Sequence, residues 1–483
     1  MTTQTTKITL DAAALFAGKA AGLLLGVVRL NYFASYLGVE QFGLLNFAAY
    51  FVLLFQSLFD LGIAQLLTRE IARETVRSRT LLGQALLLKV AIGILSALIV
   101  FIAVAASRFD AATNEALALT TIAQIVNSLS LTFLSAFQAH RRMALVSATT
   151  VISDLVLSAL VIVILPLFPS VRTTLLLTNL VAIFNFAMLW LVYRRIVGAP
   201  QLGVDRLIWR RLLREGFPMA VSAFGISIYM YIGPTALRYL RPKEEIGLFS
   251  AGYKLISILT LIPAAVSQVV YPIFSQFAAR APEKLQKSLR DALRVMLEVS
   301  APLAAGAIVL GPKIMDMIYP AEYAPGGMVF QIIIAGNMLG FLGWILTAFL
   351  LATGRQVYCM LNSLAVAALA SLANFSLVPA YGYIAVACIC ASTEILLFIS
   401  LSGYVLRQGV SPLEVQSSGR IVLSAALMGA ALWSARALPL LLLVPAGALC
   451  YGILLVAFRV PGDQEREVLL RVAGFLPGRT EER

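Results

Sequence analysis

The feature that most constrains this chain is a succession of apolar runs, each long enough to cross a bilayer core, separated by charged or Pro/Gly-rich breaks. About 20 apolar residues span the hydrocarbon as a helix. Lipid offers the backbone no hydrogen-bond partner, so a run of that length crosses only as an α-helix. Runs of this kind fall at residues 9–36, 42–66, 81–106, 113–138, 144–165, 173–193, 215–237, 246–275, 291–312, 326–352, 358–379, 383–405, 421–435 and 437–458. The fold class expected is therefore all-α, a polytopic membrane protein with about fourteen transmembrane helices. Composition agrees: 60% of residues are hydrophobic and 13% charged, against about 45–50% and 25% in soluble domains.

The formal net charge of +13 would suggest nucleic acid in a soluble protein. Here the basic residues sit mainly in short loops, where they set topology, and no nucleic-acid partner is expected. One side collects Arg69, Arg73, Arg77 and Arg79, then Arg141 and Arg142, the run Arg194 to Arg214, and Arg280 to Arg294. The other side holds only Arg108, Arg172, Arg238, Arg241, Lys243, Lys313 and Arg436. The positive-inside rule then places both termini in the cytoplasm of a multi-pass inner (plasma) membrane protein of a bacterial cell. Residues 1–8 carry only Lys7 before a long apolar run, which does not read as a cleavable signal peptide. Between the sixth and seventh spans, Val204, Leu207, Ile208 and Leu212 alternate with Arg206, Arg210, Arg211 and Arg214. That pattern reads as an amphipathic linker lying on an anionic leaflet, with membrane lipids as partners.

The chain also repeats. Tyr36-Leu37-Gly38-Val39-Glu40-Gln41-Phe42-Gly43-Leu44 and Tyr239-Leu240-Arg241-Pro242-Lys243-Glu244-Glu245-Ile246-Gly247-Leu248 match at Tyr-Leu, Glu, an apolar residue and Gly-Leu, with one inserted residue. The offset equals six helices, an even number, so both copies face the same side. The organisation expected is an N-terminal six-helix bundle over 1–195, the amphipathic linker at 196–214, a C-terminal six-helix bundle over 215–406, and two extra helices with a cytoplasmic tail over 407–483. The bundles form a parallel pseudo-two-fold repeat, a transporter signature.

Ionisable residues deep in a span are costly and point to function. Lys19 lies about 15 Å from the cytoplasmic end of the first span at 1.5 Å per residue; Asp154 and Glu394 are similarly deep. Arg29, Lys89 and Lys254 lie nearer span ends and can snorkel to water. Asp60, near the end of the second span, reads either as a cap for the following basic loop or as a coupling carboxylate. Gly18, Gly22 and Gly26 form a flat stripe on the first span, continued by Arg29 and flanked by Lys19; the stripe serves close packing, a cationic wall, or both. Asn46, Tyr50, Gln56, Tyr229, Tyr231 and Gln268 add polar groups that could line a cavity or bond between helices. The substrate-binding candidates are therefore Lys19, Arg29, Asn46, Tyr50, Lys254 and Gln268, and the ion-coupling candidates are Asp60, Asp154 and Glu394.

Several chemistries lack their residues. The four cysteines, Cys359, Cys388, Cys390 and Cys450, lie in apolar runs with no disulfide or zinc spacing. The single histidine, His140, reads as a solvated loop residue. There is no phosphate-binding Gly-x-x-x-x-Gly-Lys-Ser/Thr loop, no metal-ligand cluster, and no outward loop large enough for catalysis. The expectation is a non-enzyme without a cofactor, driven by H⁺, Na⁺, the membrane potential or product removal.

At this point the sequence resembles a known family. Gly26-Val27-Val28-Arg29, Phe59-Asp60-Leu61-Gly62, Arg69-Glu70-Ile71-Ala72, Ile246 to Leu255, Tyr271-Pro272-Ile273-Phe274-Ser275, and Asn374 followed by Val378-Pro379-Ala380-Tyr381-Gly382-Tyr383 are similar to motifs of the polysaccharide (O-antigen type, Wzx-like) flippases. These belong to the multidrug/oligosaccharidyl-lipid/polysaccharide exporter superfamily. The resemblance implies two bundles around a cavity lined by helices one, two, seven and eight. It further implies alternating-access flipping of a polyprenyl-diphosphate-linked oligosaccharide, with a polysaccharide polymerase and chain-length proteins as partner proteins. Arg29 matches a basic residue on helix one of related lipid II flippases, and Lys19 has no equivalent there. Fourteen helices resemble the lipid II branch, so a lipid II flippase stays open as an alternative. A cation-coupled multidrug exporter is a further alternative and would favour an acidic cavity.

Overall fold

The computed structural model describes residues 2–412, 414–458 and 460, with side chains from Gly22 onward apart from those of Ser222, Ala279, Arg280, Pro282 and Val415. Among the described residues the regular elements are all helical: α1 Thr2–Leu54, α2 Gln56–Asp60, α3 Ile63–Arg73, α4 Ser78–Ser107, α5 Ala111–Ala139, α6 Met143–Ile164, α7 Val171–Ile196 and α8 Arg206–Leu240, followed by α9 Lys243–Leu259, α10 Leu261–Arg280, α11 Pro282–Ile318, α12 Gly326–Ala352, α13 Gln356–Arg407, α14 Val415–Ser434 and α15 Leu440–Ala457. Among the described residues ten helices are long and apolar enough to cross a membrane, eleven counting the bent α8. The fourteen helices expected are present, because α1 and α13 each hold two of them and α14 adds one that falls outside the apolar set.

The two double helices turn at glycines. Gly38 has φ 69° and ψ 171°, and Gly382 has φ 58° and ψ −143°. That region of backbone space is essentially closed to residues with a Cβ. Glu245 holds the second corner: the Tyr383 amide donates to its Oε2 at 2.9 Å, and Arg241 Nε donates to its Oε1 at 2.8 Å.

One span expected to be continuous is broken. The second runs through the end of α1, α2 and α3, interrupted at Phe55 (φ −96°, ψ 6°) and at Leu61–Gly62, where both residues are left-handed. The eighth crosses as one span, Lys243–Ala278: Thr260, between α9 and α10, keeps right-handed helical backbone (φ −65°, ψ −14°). Apolar periodicity continues through the break in the second span, which is why a reading by hydropathy passes over it. The segment expected as an amphipathic linker is found as a loop over 197–205 and the first turns of α8, whose parts Arg206–Val221 and Ala223–Leu240 meet at 41°.

The chain forms two compact units, one of Met1–Ala251, Ile318–Ala324 and Ser363–Val386, the other of Gly252–Met317, Pro325–Asn362 and Ala387–Arg483. In the first, α1 packs along α6 and α8, and α5 along α4 and α7. Its core gathers Leu67, Phe133, Phe137, Leu189 and Tyr193, with the Phe133 and Tyr193 rings edge to face at 5.7 Å. The repeat motif meets itself here. A Cβ on Gly43 would lie 2.8 Å from the Gly247 nitrogen, and one on Gly247 would overlap the Val39 carbonyl. In the second unit, α14 and α15 supply Ile421, Met428 and Leu443 to a core shared with Leu293, Met296 and Phe349. Tyr451 donates to the Glu298 carbonyl at 2.9 Å and Lys313 to that of Leu438 at 2.7 Å. The C-terminal pair is thus part of that unit's core. The tail at 461–483 lies outside the described residues.

His140 is not a solvated loop residue. It is half-buried, with Nε2 2.9 Å from Ser78 Oγ, which in turn lies 2.9 Å from the Tyr193 hydroxyl. Burial, then the Arg142 charge, hold its pKa below the ordinary value.

Two predictions follow from these contacts. Gly247→Ala should cost about 1–3 kcal/mol through overpacking against backbone, seen as a lower thermal midpoint in detergent. Gly403→Ala, with open space around it, should leave the midpoint unchanged or slightly raised. For His140, the unfolded chain takes up the proton first as pH falls below about 6.5, so native stability present above that value is lost below it. The wild-type midpoint should therefore fall more steeply between about pH 7 and 5 than that of His140→Gln.

Candidate functional site

The break in the second span builds a site in the first unit. At its first end Phe55 leaves the helix; at its second, two successive left-handed residues, Leu61 and Gly62, turn the chain. The left-handed conformation costs a non-glycine residue roughly 1–2 kcal/mol, so Leu61 is held by its surroundings. Gly62 is required by close approach: a Cβ there would sit 2.8 Å from the Gly216 carbonyl and 2.9 Å from Met219 Cβ of α8. Backbone released by the break is caught locally, Ser128 Oγ of α5 donating to the Phe59 carbonyl at 2.7 Å.

Asp60 ends α2 at this point, and Lys89 of α4 meets it. Lys89 Nζ lies 2.5 Å from Asp60 Oδ1, with the lysine side chain 0% and the aspartate 22% exposed, and it also donates to the Ser128 carbonyl at 3.0 Å. A lone ammonium in such a place is strongly disfavoured, and a paired one is tolerated. Lys89 does not snorkel: it is buried and neutralised inside the unit.

Asp60 faces a cavity of about 620 Å³. Gln56, Gln65, Thr68, Ser135, Gln138 and Ser227 bring amides and hydroxyls to it. Leu131, Met219, Ile226, Met230 and Tyr231 supply apolar and aromatic wall. Tyr231 stacks on Tyr50 of α1, with ring centres 6.1 Å apart and planes 22° from parallel. One turn beyond Thr68 and Met219, ion pairs tie α3 to α8. Arg69 pairs with Glu215 and Arg211 with Glu70 at 3.1 Å across the two helices, and Arg211 also pairs with Glu215 at 2.9 Å within α8.

A second deep pair joins two residues singled out from the sequence. Arg29 Nη2 meets Asp154 Oδ1 at 2.9 Å, and Nη1 donates at 3.0 Å to both the Asp154 carbonyl and Ser158 Oγ of α6. The glycine stripe makes this possible: a Cβ on Gly22 would lie 2.9 Å from Asp154 Oδ2. Asn46 is buried and donates to the Phe42 carbonyl one turn back at 2.8 Å, a bond within its own helix. Lys254, half-buried, and Gln268, exposed, belong to the second unit, as does Glu394, against which Gly340 of α12 packs closely. The side chain of Lys19 lies outside the described residues.

Lys89, which the sequence left as able to snorkel, is the residue of this cluster that the sequence-derived candidates lacked. The signal for it was weak but present: a cation and a carboxylate, Asp60, in neighbouring spans. Choosing that pairing needs the fold to place α2, α4 and α5 together.

This architecture of broken and glycine-hinged membrane helices is the fold of the multidrug/oligosaccharidyl-lipid/polysaccharide (MOP) exporter superfamily. The lipid II flippase MurJ in an inward closed conformation matches with TM-score 0.77 at 16% identity, over 93% of this chain and 99% of that one. A multidrug-resistance MATE family transporter of the MOP superfamily, inward-facing, matches with TM-score 0.65 at 14% identity, over 80% and 94%. A MOP superfamily transporter from Pyrococcus furiosus matches with TM-score 0.61 at 13% identity, over 83% and 95%. No curated protein matches the chain. The family model described as polysaccharide biosynthesis protein matches residues 8–278, and the chain belongs to that family: it is a multi-pass membrane protein whose fold is similar to those of MurJ and the MATE transporters.

If the Asp60–Lys89 pair holds the break, removing one partner leaves a buried charge uncompensated. Lys89→Met should cost of order 3 kcal/mol, measured as thermal stability in detergent. The double variant Lys89→Met/Asp60→Leu should recover much of that loss. A double variant as unstable as the sum of the single ones would show that the two residues act separately.

Proposed function

We propose that this protein is a flippase that carries a polyprenyl-diphosphate-linked oligosaccharide from the cytoplasmic to the outer leaflet by alternating access, for cell-surface polysaccharide biosynthesis. It works in the bacterial inner membrane with both termini cytoplasmic and catalyses no covalent step. Its halves are the six-helix repeats 1–195 and 215–406, and its partner proteins are the polymerase and chain-length proteins of the same pathway. The observation that carries this reading is the cavity at the broken second span. Amides, hydroxyls and one carboxylate beside an aromatic and apolar wall suit the hydroxyl edges and C–H faces of sugars. Membership of the polysaccharide biosynthesis family and the flippase-type fold support it.

Charge supports the same reading. Asp60 and Asp154 are already paired with Lys89 and Arg29. A proton or Na⁺ arriving at either carboxylate strands a cation in low dielectric, so coupling through these groups runs as an exchange. A substrate diphosphate offers Arg29 a fork-shaped acceptor in place of Asp154. Glu394 is the third candidate for coupling. A lipid II flippase is the second reading, favoured by the fold likeness to MurJ. A cation-coupled drug exporter is less well supported, since the cations Arg29 and Lys19 stand on the first helix.

Deleting the gene should trap lipid-linked oligosaccharide on the cytoplasmic leaflet and abolish surface polysaccharide. Wild type should restore both. Lys19→Ala, Arg29→Ala and Asp60→Asn, at wild-type protein levels, should restore them at least tenfold less well. Accumulation of lipid II with polysaccharide intact would move the assignment to the second reading. No change in either lipid-linked species would reject both.

A further inference from the structure

The first limb of α8 carries two parallel ridges at four-residue spacing. Arg206, Arg210 and Arg214 form one; Trp209, Leu213 and Phe217 form the other, and together they line one open groove. The face is not the one sequence periodicity suggests: Leu212 is buried in the core of the first unit, whereas Leu213 and Phe217 are 38% and 63% exposed.

The charges on the limb are divided. Arg211, on another face, pairs with Glu70 and Glu215. Arg206, Arg210 and Arg214 make no ion pair among the described residues. Beside them the Trp209 indole N–H is buried with no acceptor. An uncompensated row of guanidinium groups beside an exposed apolar ridge asks for one kind of occupant. It must be anionic, offer several acceptor oxygens, and continue into hydrocarbon.

We propose that this groove is a seat for an anionic glycerophospholipid of the cytoplasmic leaflet. The phosphate sits on Arg206, Arg210 and Arg214, and an acyl chain lies along Leu213 and Phe217. This is a bound lipid with a defined place, beyond the general attraction of basic loops to an acidic leaflet. It anchors the limb of α8 that α3 grips from its other side.

The test uses the full chain carrying Trp190→Phe, Trp344→Phe and Trp433→Phe, which leaves Trp209 as its tryptophan. The protein is reconstituted in phosphatidylcholine vesicles with an equal fraction of brominated phosphatidylglycerol or brominated phosphatidylcholine. Brominated phosphatidylglycerol should quench Trp209 at lower lipid fraction. The preference should weaken about fivefold for each arginine removed and vanish in R206Q/R210Q/R214Q, while residual quenching by brominated phosphatidylcholine reports an intact limb. Equal quenching by the two lipids, or a preference that survives the triple substitution, would overturn the proposal. So would release of the brominated lipid by stoichiometric polyprenyl diphosphate, which would assign the seat to the substrate. Native mass spectrometry of the chain with its tryptophans unchanged gives an independent readout. R206Q/R210Q/R214Q should lose retained phosphatidylglycerol, and K284Q/K287Q/R290Q, with the same loss of charge, should keep it. Equal loss in both would also overturn it.

Discussion

A helix that breaks inside a membrane releases backbone groups for which the lipid has no partner, and much of the first unit is arranged around one such break. Where the second span stops at Asp60 and turns through Leu61 and Gly62, α5 supplies a hydroxyl to a freed carbonyl and α4 supplies Lys89 to the carboxylate. Gly216 and Met219 of α8 close against the turn. The polar cavity exists because the chain is broken there: a continuous helix would turn Asp60 and its neighbours over a narrower face and leave no recess between α2, α5 and α8.

Two deep cations of this unit, among the described residues, are compensated in place. Arg29 is held by Asp154 and Lys89 by Asp60, each pair supported by a serine on the neighbouring helix. Such pairs contribute little net stability when replaced by apolar groups of the same shape, and cost much when half is removed. What they add is a fixed geometry together with charges that can be exchanged between partners. The ion pairs between α3 and α8 are more exposed and individually weak.

Particular residues show how far local pattern reaches. Gly38 and Gly382 stand in motifs legible as turns, and both take up backbone conformations that only glycine accepts readily. Gly43 and Gly247 were legible as a repeat, and their meeting explains why neither copy carries a side chain there. The breaks at Phe55 and Leu61 were not legible, because hydropathy runs through them without change. Lys89 looked able to reach water because depth along one span says nothing of what neighbouring spans place around it. The arginines of α8 were visible as a basic patch, but which of them would be neutralised depended on where Glu70 arrived.

The sequence by itself determined the class of this protein. The length and number of its apolar runs demand a helical membrane protein, since no other structure satisfies the backbone in lipid. Its motifs resemble those of the polysaccharide biosynthesis family to which it belongs. Only the tertiary structure decided which charges face one another, where the second span breaks, and which groups line the recess beside it. Those outcomes depend on distances between residues far apart in the chain, such as Arg29 and Asp154. Burial and pairing energies in low dielectric are set by such distances and not by spacing along a single helix.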